Sequence, residues 1–167
     1  MFKGFVQAVT KTHKTQRLVD VPPRHFYDIV VDVNKYVDFV PFCSESRILR
    51  TFGNGRGFEA TLGIAFPPII DESYVSKVTL DPHDMNVEIE SIESSMFDSL
   101  SCRWDISETL RSSDECDVQL QIEISSSDPL LSLSLERLVE QISVAQVIAF
   151  EKRCKDVPID DSISLNS

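Results

Sequence analysis

The sequence predicts an α+β fold in which a curved, seven-stranded antiparallel sheet wraps around one long C-terminal helix. Three observations predict it. Apolar and polar residues alternate over several short segments, which is typical of strands that bury one face. Short turns separate most of these segments, so neighbouring strands are expected to run antiparallel. The end of the chain shows instead the spacing of an amphipathic helix.

Length and composition limit the class of protein and the kinds of site that this chain can form. A chain of 167 residues with 42% hydrophobic residues can bury the core of a single domain. No apolar run approaches the roughly 18–20 residues of a membrane span. The four cysteines are scattered, without the spacing of a zinc site or a disulfide framework. We therefore expect a reducing compartment, free thiols and no metal site.

The N-terminal part combines one strand with short helices. Thr12–Val21 is predicted to be the first strand, and Pro22 and Pro23 end it because proline cannot donate to a strand ladder. A helix follows, and a second short turn stops at Pro41. The apolar positions of the first helix have i, i+3, i+4, i+7 spacing: Phe26, Ile29, Val30 and Val33.

Six further strands are expected to form a meander. Turns at Gly53–Gly57 and Asp81–Asp84 separate some of them. The last strand alternates most strictly, with apolar residues on one face from Val118 to Ile124. The predicted strands are Ser46–Phe52, Phe58–Phe66, Glu72–Leu80, Asn86–Ile92, Leu100–Ser107 and Cys116–Ser125.

The last element is predicted to be a long helix. Asp128 can cap its start, and Pro129 suits its first position. It should run for about 26 residues, or roughly 39 Å, before Pro158 ends it. The last turn of a helix favours positively charged side chains, and Lys152, Arg153 and Lys155 lie there. Its buried stripe is predicted to hold Leu131, Leu135, Leu138, Ile142, Ala145 and Ala149.

Charge is distributed unevenly along the chain. The net charge is −11, yet residues 1–19 contain basic residues and no acid. Acid-poor, basic N-termini are typical of mitochondrial targeting segments. A frayed terminus leading into the first strand is the alternative, and composition leaves both open. The acidic remainder argues against nucleic acid as a partner, because that would require a basic surface.

No catalytic residue can be assigned from spacing. His13 lies in the first strand, His25 follows two prolines, and His83 lies in a turn, so all three are expected to face solvent. Glu88 and Glu90 should point away from the buried face of their strand. No Ser/His/Asp or Cys/His arrangement is evident.

An apolar cavity would explain the stretch YDIVVDVNKYVDFVPFC, Tyr27 to Cys43, which ends in uncharged residues directly after a helix. Trp104 would belong to its wall or to an ordinary core, and a flat sheet with a tightly packed helix is the alternative to any cavity. Phe66–Ile70 is either a rigid capping loop or an exposed apolar rim formed by Phe66, Pro67, Pro68, Ile69 and Ile70. The candidate cavity residues are Phe26, Phe39, Phe42, Leu62, Ile64, Phe97, Leu100, Trp104, Leu138 and Ile142.

Four motifs follow one another along the chain. They are the Tyr27–Ser46 stretch with its FVPFC segment, Ala65–Pro68, Met96–Trp104 and AFEKRC at Ala149–Cys154. In this order they resemble the coenzyme Q-binding proteins of the START-like, polyketide cyclase/dehydrase superfamily, over most of the chain. Phe42 stands where that family usually has Trp. SSSDPLL at Ser125–Leu131 departs from a family pattern that often has Phe and Arg.

The resemblance implies a helix-grip fold for residues 12–157, with residues 1–11 as a mitochondrial targeting segment and residues 158–167 as a disordered tail. It implies ubiquinone as a bound ligand, with Trp104 stacking on its ring, and neither a cofactor nor a catalytic step. The expected location is the matrix side of the mitochondrial inner membrane, peripherally bound. Respiratory or quinone-biosynthesis complexes and a second copy of the chain, in a homodimer, are the expected protein partners. A cyclase-like enzyme and a closed-core interaction module remain the alternatives.

Overall fold

One antiparallel sheet forms the body of the computed structural model, which describes residues 7–68 and 70–159. The order of its strands is β1-β7-β6-β5-β4-β3-β2. The strands are β1 (Val9–Val19), β2 (Cys43–Phe52), β3 (Gly57–Phe66), β4 (Ile70–Asp81), β5 (Asn86–Glu93), β6 (Ser99–Glu108) and β7 (Cys116–Ser126). The helices are α1 (Pro23–Val31), α2 (Tyr36–Phe39) and α3 (Pro129–Asp156). The predicted fold class and the predicted number of strands are confirmed for the described residues.

The sheet is a meander from β2 to β7, and β1 adds to the outer side of β7. Val9 pairs with Ser126 at one end of that ladder and Val19 with Cys116 at the other. Register shifts interrupt the β2–β3 ladder and the β4–β5 ladder. Such bulges bend a strand and increase its twist, which curves the sheet towards α3.

Helix α3 is 28 residues long and is capped as the sequence predicts. The Asp128 carboxylate accepts hydrogen bonds from the backbone N–H groups of Leu130 at 3.0 Å and Leu131 at 2.9 Å. The helix packs against β1, β7 and α1. Its buried residues are Leu131, Leu135, Leu138, Val139, Ile142, Ser143, Val147, Phe150 and Cys154.

The second half of the predicted helix stripe was wrong. Ala145 and Ala149 are only partly buried, while Val147, Phe150 and Cys154 face the core. A helix repeats every 3.6 residues, so a stripe extended in steps of three and four can drift off the buried face. The drift here hid Phe150, the largest buried side chain of the helix.

Several strands start earlier than expected, and β1, β2 and β4 do so by two or three residues. Strand β1 begins at Val9, so the last three residues of the predicted targeting segment, 9–11, pair with β7. Strand β4 begins at Ile70 instead of Glu72, which shortens the connection after β3. The predicted disordered tail begins at Pro158, and its residues 160–167 lie outside the described residues.

The three histidines occupy different environments. His25 is only 8% exposed, so its predicted exposure to solvent was wrong. Its Nε2 atom lies 2.9 Å from the Cys154 carbonyl oxygen and 3.1 Å from that of Val157, which ties α1 to the end of α3. His13 is partly buried on β1, whereas His83 is exposed and contacts Asp84.

Candidate functional site

A cavity of about 70 Å³ lies between the inner face of the sheet and α3. Its wall combines residues of the six strands β2 to β7 with residues of α2, α3 and the loop that joins α2 to β2. The lining residues are Tyr36, Val40, Pro41, Phe42, Cys43, Leu62, Gly63, Ile64, Tyr74, Ile89, Leu100, Cys102, Trp104, Ile122, Ile124, Ile142, Gln146 and Phe150.

Strand alternation builds the sheet side of this wall. Leu62 and Ile64 are two residues apart on β3, and Leu62 pairs directly with Tyr74 of β4. Likewise, Cys102 of β6 lies between Ile89 of β5 and Ile122 of β7. Residues that pair across an antiparallel sheet point to the same face, so these side chains share one surface.

Helix α3 supplies the opposite side with residues at every fourth position. Ile142, Gln146 and Phe150 follow one another at this spacing, which places them on one helix face. Gln146 is therefore a polar side chain between two apolar ones, one helical turn from each.

The inner end of the cavity is an aromatic cluster centred on Phe150. The Phe150 ring lies 4.7 Å from Trp104, 5.0 Å from Phe39 and 5.2 Å from Tyr36, measured between centroids. Phe26 packs behind them, 5.8 Å from Trp104. Trp104 is 1% exposed, so the cluster is a packed floor.

The outer end is closed by two other aromatic rings, those of Phe42 and Phe66, whose centroids are 4.8 Å apart. We call them the mouth pair. Phe42 has a left-handed backbone with φ of 65°, which is unfavourable for a residue with a bulky side chain. Its carbonyl oxygen accepts a hydrogen bond from the Ala65 N–H at 2.8 Å, which holds the loop against β3.

A second hollow of about 260 Å³ lies outside the mouth pair. Phe42 lines the inner cavity, while Phe66 lines this outer groove together with residues of α3. Each hollow therefore has one ring of the mouth pair in its wall. The α3 residues of the groove are Ser134, Arg137, Leu138 and Gln141.

The structure brings six of the ten predicted cavity residues to the wall, namely Phe42, Leu62, Ile64, Leu100, Trp104 and Ile142. Phe26 and Phe39 lie behind the wall, in the aromatic cluster. Phe97 is buried 6.1 Å from the Tyr74 ring, outside the lining, and Leu138 borders the outer groove.

The predicted apolar rim divides into two parts. Pro67 and Pro68 are exposed and Phe66 is partly buried. Ile70 was placed in an exposed rim wrongly, because it is 1% exposed as the first residue of β4. Ile69 lies outside the described residues.

Sequence analysis did not single out Tyr36, Tyr74, Cys102, Gln146 or Phe150 as cavity residues. The spacing of four from Ile142 could have found Gln146 and Phe150. Tyr74 and Cys102 alternate with exposed Ser73 and Arg103, so the strand pattern contained a signal for both.

Among the residues that the structure describes, the cavity wall contains no Asp, Glu, Lys, Arg or His. Its ionisable groups are phenols and thiols, and burial raises the pKa of Tyr36, Tyr74 and Cys43 and that of Cys102 to about 12. All four are therefore neutral at physiological pH. The Tyr36 hydroxyl donates to the Val30 carbonyl oxygen, which orients that ring.

Neither a metal site nor a bilayer-spanning helix is found in the part of the chain that the structure describes. In those residues, no three His, Cys, Asp or Glu side chains are grouped so as to hold a metal ion. None of the described helices is both long enough and apolar enough to cross a bilayer.

Residues 19–151 match the family model described as polyketide cyclase / dehydrase and lipid transport. The chain belongs to this family. Among family relatives, the mitochondrial coenzyme Q-binding protein coq10 of Schizosaccharomyces pombe is 28% identical over 116 residues, which cover 68% of this chain and 70% of that one. The predicted resemblance to coenzyme Q-binding proteins is thus confirmed.

Other proteins that this chain is similar to have different names. The ribosome association toxin RatA of Pseudomonas aeruginosa is 25% identical over 140 residues, covering 84% of this chain and 92% of that one. The Zhui aromatase/cyclase of Streptomyces sp. R1128 superposes with a TM-score of 0.76 at 18% identity, covering 88% of this chain and 94% of that one. A likeness at that identity shows the fold alone, and one fold can carry a binding site or an enzyme.

Proposed function

We propose that this protein binds ubiquinone in the cavity and carries it, without chemical change, to support its biosynthesis and its delivery to the respiratory chain. The observation that carries the proposal is the uncharged, largely apolar wall. Relatives named as coenzyme Q-binding proteins give the ligand class.

The wall favours a neutral ligand. A carboxylate or phosphate would lose its hydration on entry and find no cation to replace it, which is costly in an apolar environment. Fatty acids and phospholipid headgroups therefore suit the cavity poorly. A substituted quinone ring is flat and uncharged, and it can pack against the aromatic floor.

The cavity must widen before a ligand fits. Its volume of about 70 Å³ is well below the roughly 300–1,000 Å³ of ordinary ligand pockets. Apolar voids without ligand close up because the atoms lining a gap lose their contacts. We expect the rings of the mouth pair to move apart, because they are only partly buried and belong to residues next to loops.

The outer groove offers a route for the isoprenoid tail. It lies beyond the mouth pair, so a ring on the aromatic floor would direct its tail between Phe42 and Phe66 into the groove. A tail left in water would cost about 0.8 kcal/mol per CH₂ group. We therefore propose that the rest of the tail is covered by a membrane or by a second copy of the chain in a homodimer.

The surface around the groove suits peripheral contact with a membrane. Pro67 and Pro68 are exposed, and the first turns of α3 expose Leu130 to 79% and Leu133 to 86%. Exposed apolar clusters mark membrane or partner contacts. With a net charge of −11, the contact would be hydrophobic more than electrostatic. The relatives are named as mitochondrial proteins, and we propose the matrix side of the inner membrane, near respiratory or quinone-biosynthesis complexes, as the place of this contact.

Two other functions fit the same site less well, namely the cyclase-like enzyme considered from the sequence and the ribosome association in the name of one relative. A cyclase-like enzyme needs an acid or base that works near neutral pH, whereas the pKa values of the cavity phenols and thiols are raised by burial. A ribosome-associating protein would approach a polyanionic surface, which a net charge of −11 opposes.

The test is mass spectrometry of organic extracts from protein purified out of a ubiquinone-producing cell. Stoichiometric ubiquinone is expected in the extract. A matched preparation of Trp104→Ala, checked for native dichroism, should contain much less. Extracts without ubiquinone, or with the same amount from both proteins, would overturn the proposal.

A further inference from the structure

Two polar side chains line the cavity without a hydrogen-bond partner among the residues that the structure describes. Tyr74 and Gln146 both line it. Unlike Tyr36, whose hydroxyl is engaged by Val30, neither the Tyr74 hydroxyl nor the Gln146 amide forms a hydrogen bond with any residue that the structure describes. Both side chains are partly buried, and a polar group that borders a cavity without a protein partner is available to a ligand.

These side chains lie on opposite walls. Tyr74 belongs to strand β4, where it pairs with Leu62 in the sheet. Gln146 belongs to α3, which covers the sheet from the other side. A flat molecule that enters between sheet and helix therefore meets one polar group on each side.

The chemistry of the two groups suits oxygen atoms in either redox state. A phenol hydroxyl can donate or accept a hydrogen bond, and a primary amide has both donors and an acceptor oxygen. Quinone carbonyls require donors, whereas the hydroxyls of the reduced form can also donate. Burial raises the pKa of Tyr74, so its hydroxyl keeps its proton at physiological pH.

We infer that Tyr74 and Gln146 form a two-sided clamp that holds the ring oxygens of the bound ligand, accepts both its oxidised and its reduced form, and rejects isoprenoids that lack ring oxygens. This inference rests on the proposed function and names the residues that select the ligand headgroup. The apolar floor supplies contact area, and the clamp supplies selectivity.

The test uses two probes with the same tail, one with ring oxygens and one without. One is a short-tailed ubiquinone, and the other is a methyl-substituted benzene that carries the same tail. Calorimetric titration of Tyr74→Phe and of Gln146→Met should show roughly two- to tenfold weaker binding of the quinone for each variant. Binding of the oxygen-free probe should not weaken, because both substitutions keep the shape of the wall and remove polar groups that this probe leaves unpaired.

Matched controls lie outside the cavity. Tyr27→Phe removes a hydroxyl from helix α1, and Gln121→Met replaces an exposed amide on β7. Both should bind both probes like the wild type. Quinone affinity that is unchanged in Tyr74→Phe and Gln146→Met, or equal losses for both probes, would overturn the clamp alone. A wild-type protein that binds no quinone would overturn the proposed function as well.

Discussion

The two ends of the cavity are built differently. At the inner end, Trp104 and Phe150 are each 1% exposed and pack with three further aromatic rings. At the outer end, the rings of Phe42 and Phe66 are only partly buried, and the backbone of Phe42 is left-handed. The difference indicates a fixed floor and a mouth that can open, so a ligand should enter past Phe42 and come to rest on Trp104.

The largest effect is expected at the floor. Trp104→Ala should lower the free energy of unfolding by about 3–5 kcal/mol, because it removes a fully buried indole and leaves a void. Urea denaturation measures this. Val144→Ala, on the exposed face of α3, should change stability by less than about 0.5 kcal/mol. A Trp104→Ala protein as stable as Val144→Ala would show that the floor is not a packed unit.

At the mouth, the effect should appear in the rate at which the ligand associates. Phe42→Gly removes one ring of the mouth pair and suits the left-handed backbone. Association of a short-tailed ubiquinone, followed by stopped flow, should become faster by on the order of tenfold, because less of the protein must move. Phe52→Ala, at the far end of β2, serves as the control. Equal association rates in wild type and Phe42→Gly would remove the mouth pair from the entry route.

A smaller effect is expected at the surface around the mouth. Phe66→Asp and Leu133→Asp should each weaken binding to neutral liposomes severalfold, since a charge replaces apolar surface that would leave water. Far-UV dichroism should change little. Ile92→Asp makes the same change at an exposed position on β5 and should bind liposomes like the wild type. The same loss in all three variants would mean that membrane contact is not confined to the mouth.

The last effect is confined to alkaline pH. Burial raises the pKa of the Cys102 thiol from 9.0 to about 12, so the folded state keeps a proton that the unfolded state releases. Its stabilising contribution is complete below pH 9.0 and is lost as the pH rises towards about 12. Between pH 9.0 and about 12, the free energy of unfolding should therefore fall less steeply in Cys102→Ala than in the wild type. The difference in slope should be up to about 1.4 kcal/mol per pH unit. An unchanged slope in denaturation series at several pH values would contradict this placement of Cys102.

The fold was predictable because its signals are local. The alternation from Val118 to Ile124 and the Asp128–Pro129 start of α3 each depend on a few neighbouring residues, and both are confirmed. The sequence could not predict which apolar residues form the floor, the wall or the groove, because this depends on tertiary packing. Phe26 and Trp104 are both fully buried aromatic residues, yet only Trp104 borders the cavity.

The remaining wrong predictions also concern features that depend on tertiary packing. The imidazole of His25 is buried because carbonyl groups at the end of α3 lie next to it, which no local pattern could reveal. Ile70 is buried because β4 begins two residues earlier than its alternation suggested. The volume of the cavity depends on how far the rings of Phe42 and Phe66 close over it, and this is a property of the folded state.

Trp104 also makes the central claim directly measurable, since it is the only tryptophan of the chain. A quinone ring in contact with an indole quenches its fluorescence, so titration with a short-tailed ubiquinone reports on this one position. We predict quenching that saturates at one ligand per chain and is restored when an excess of liposomes withdraws the ligand. Quenching that rises linearly without saturation, or none while ligand is bound by another measure, would contradict binding on the aromatic floor.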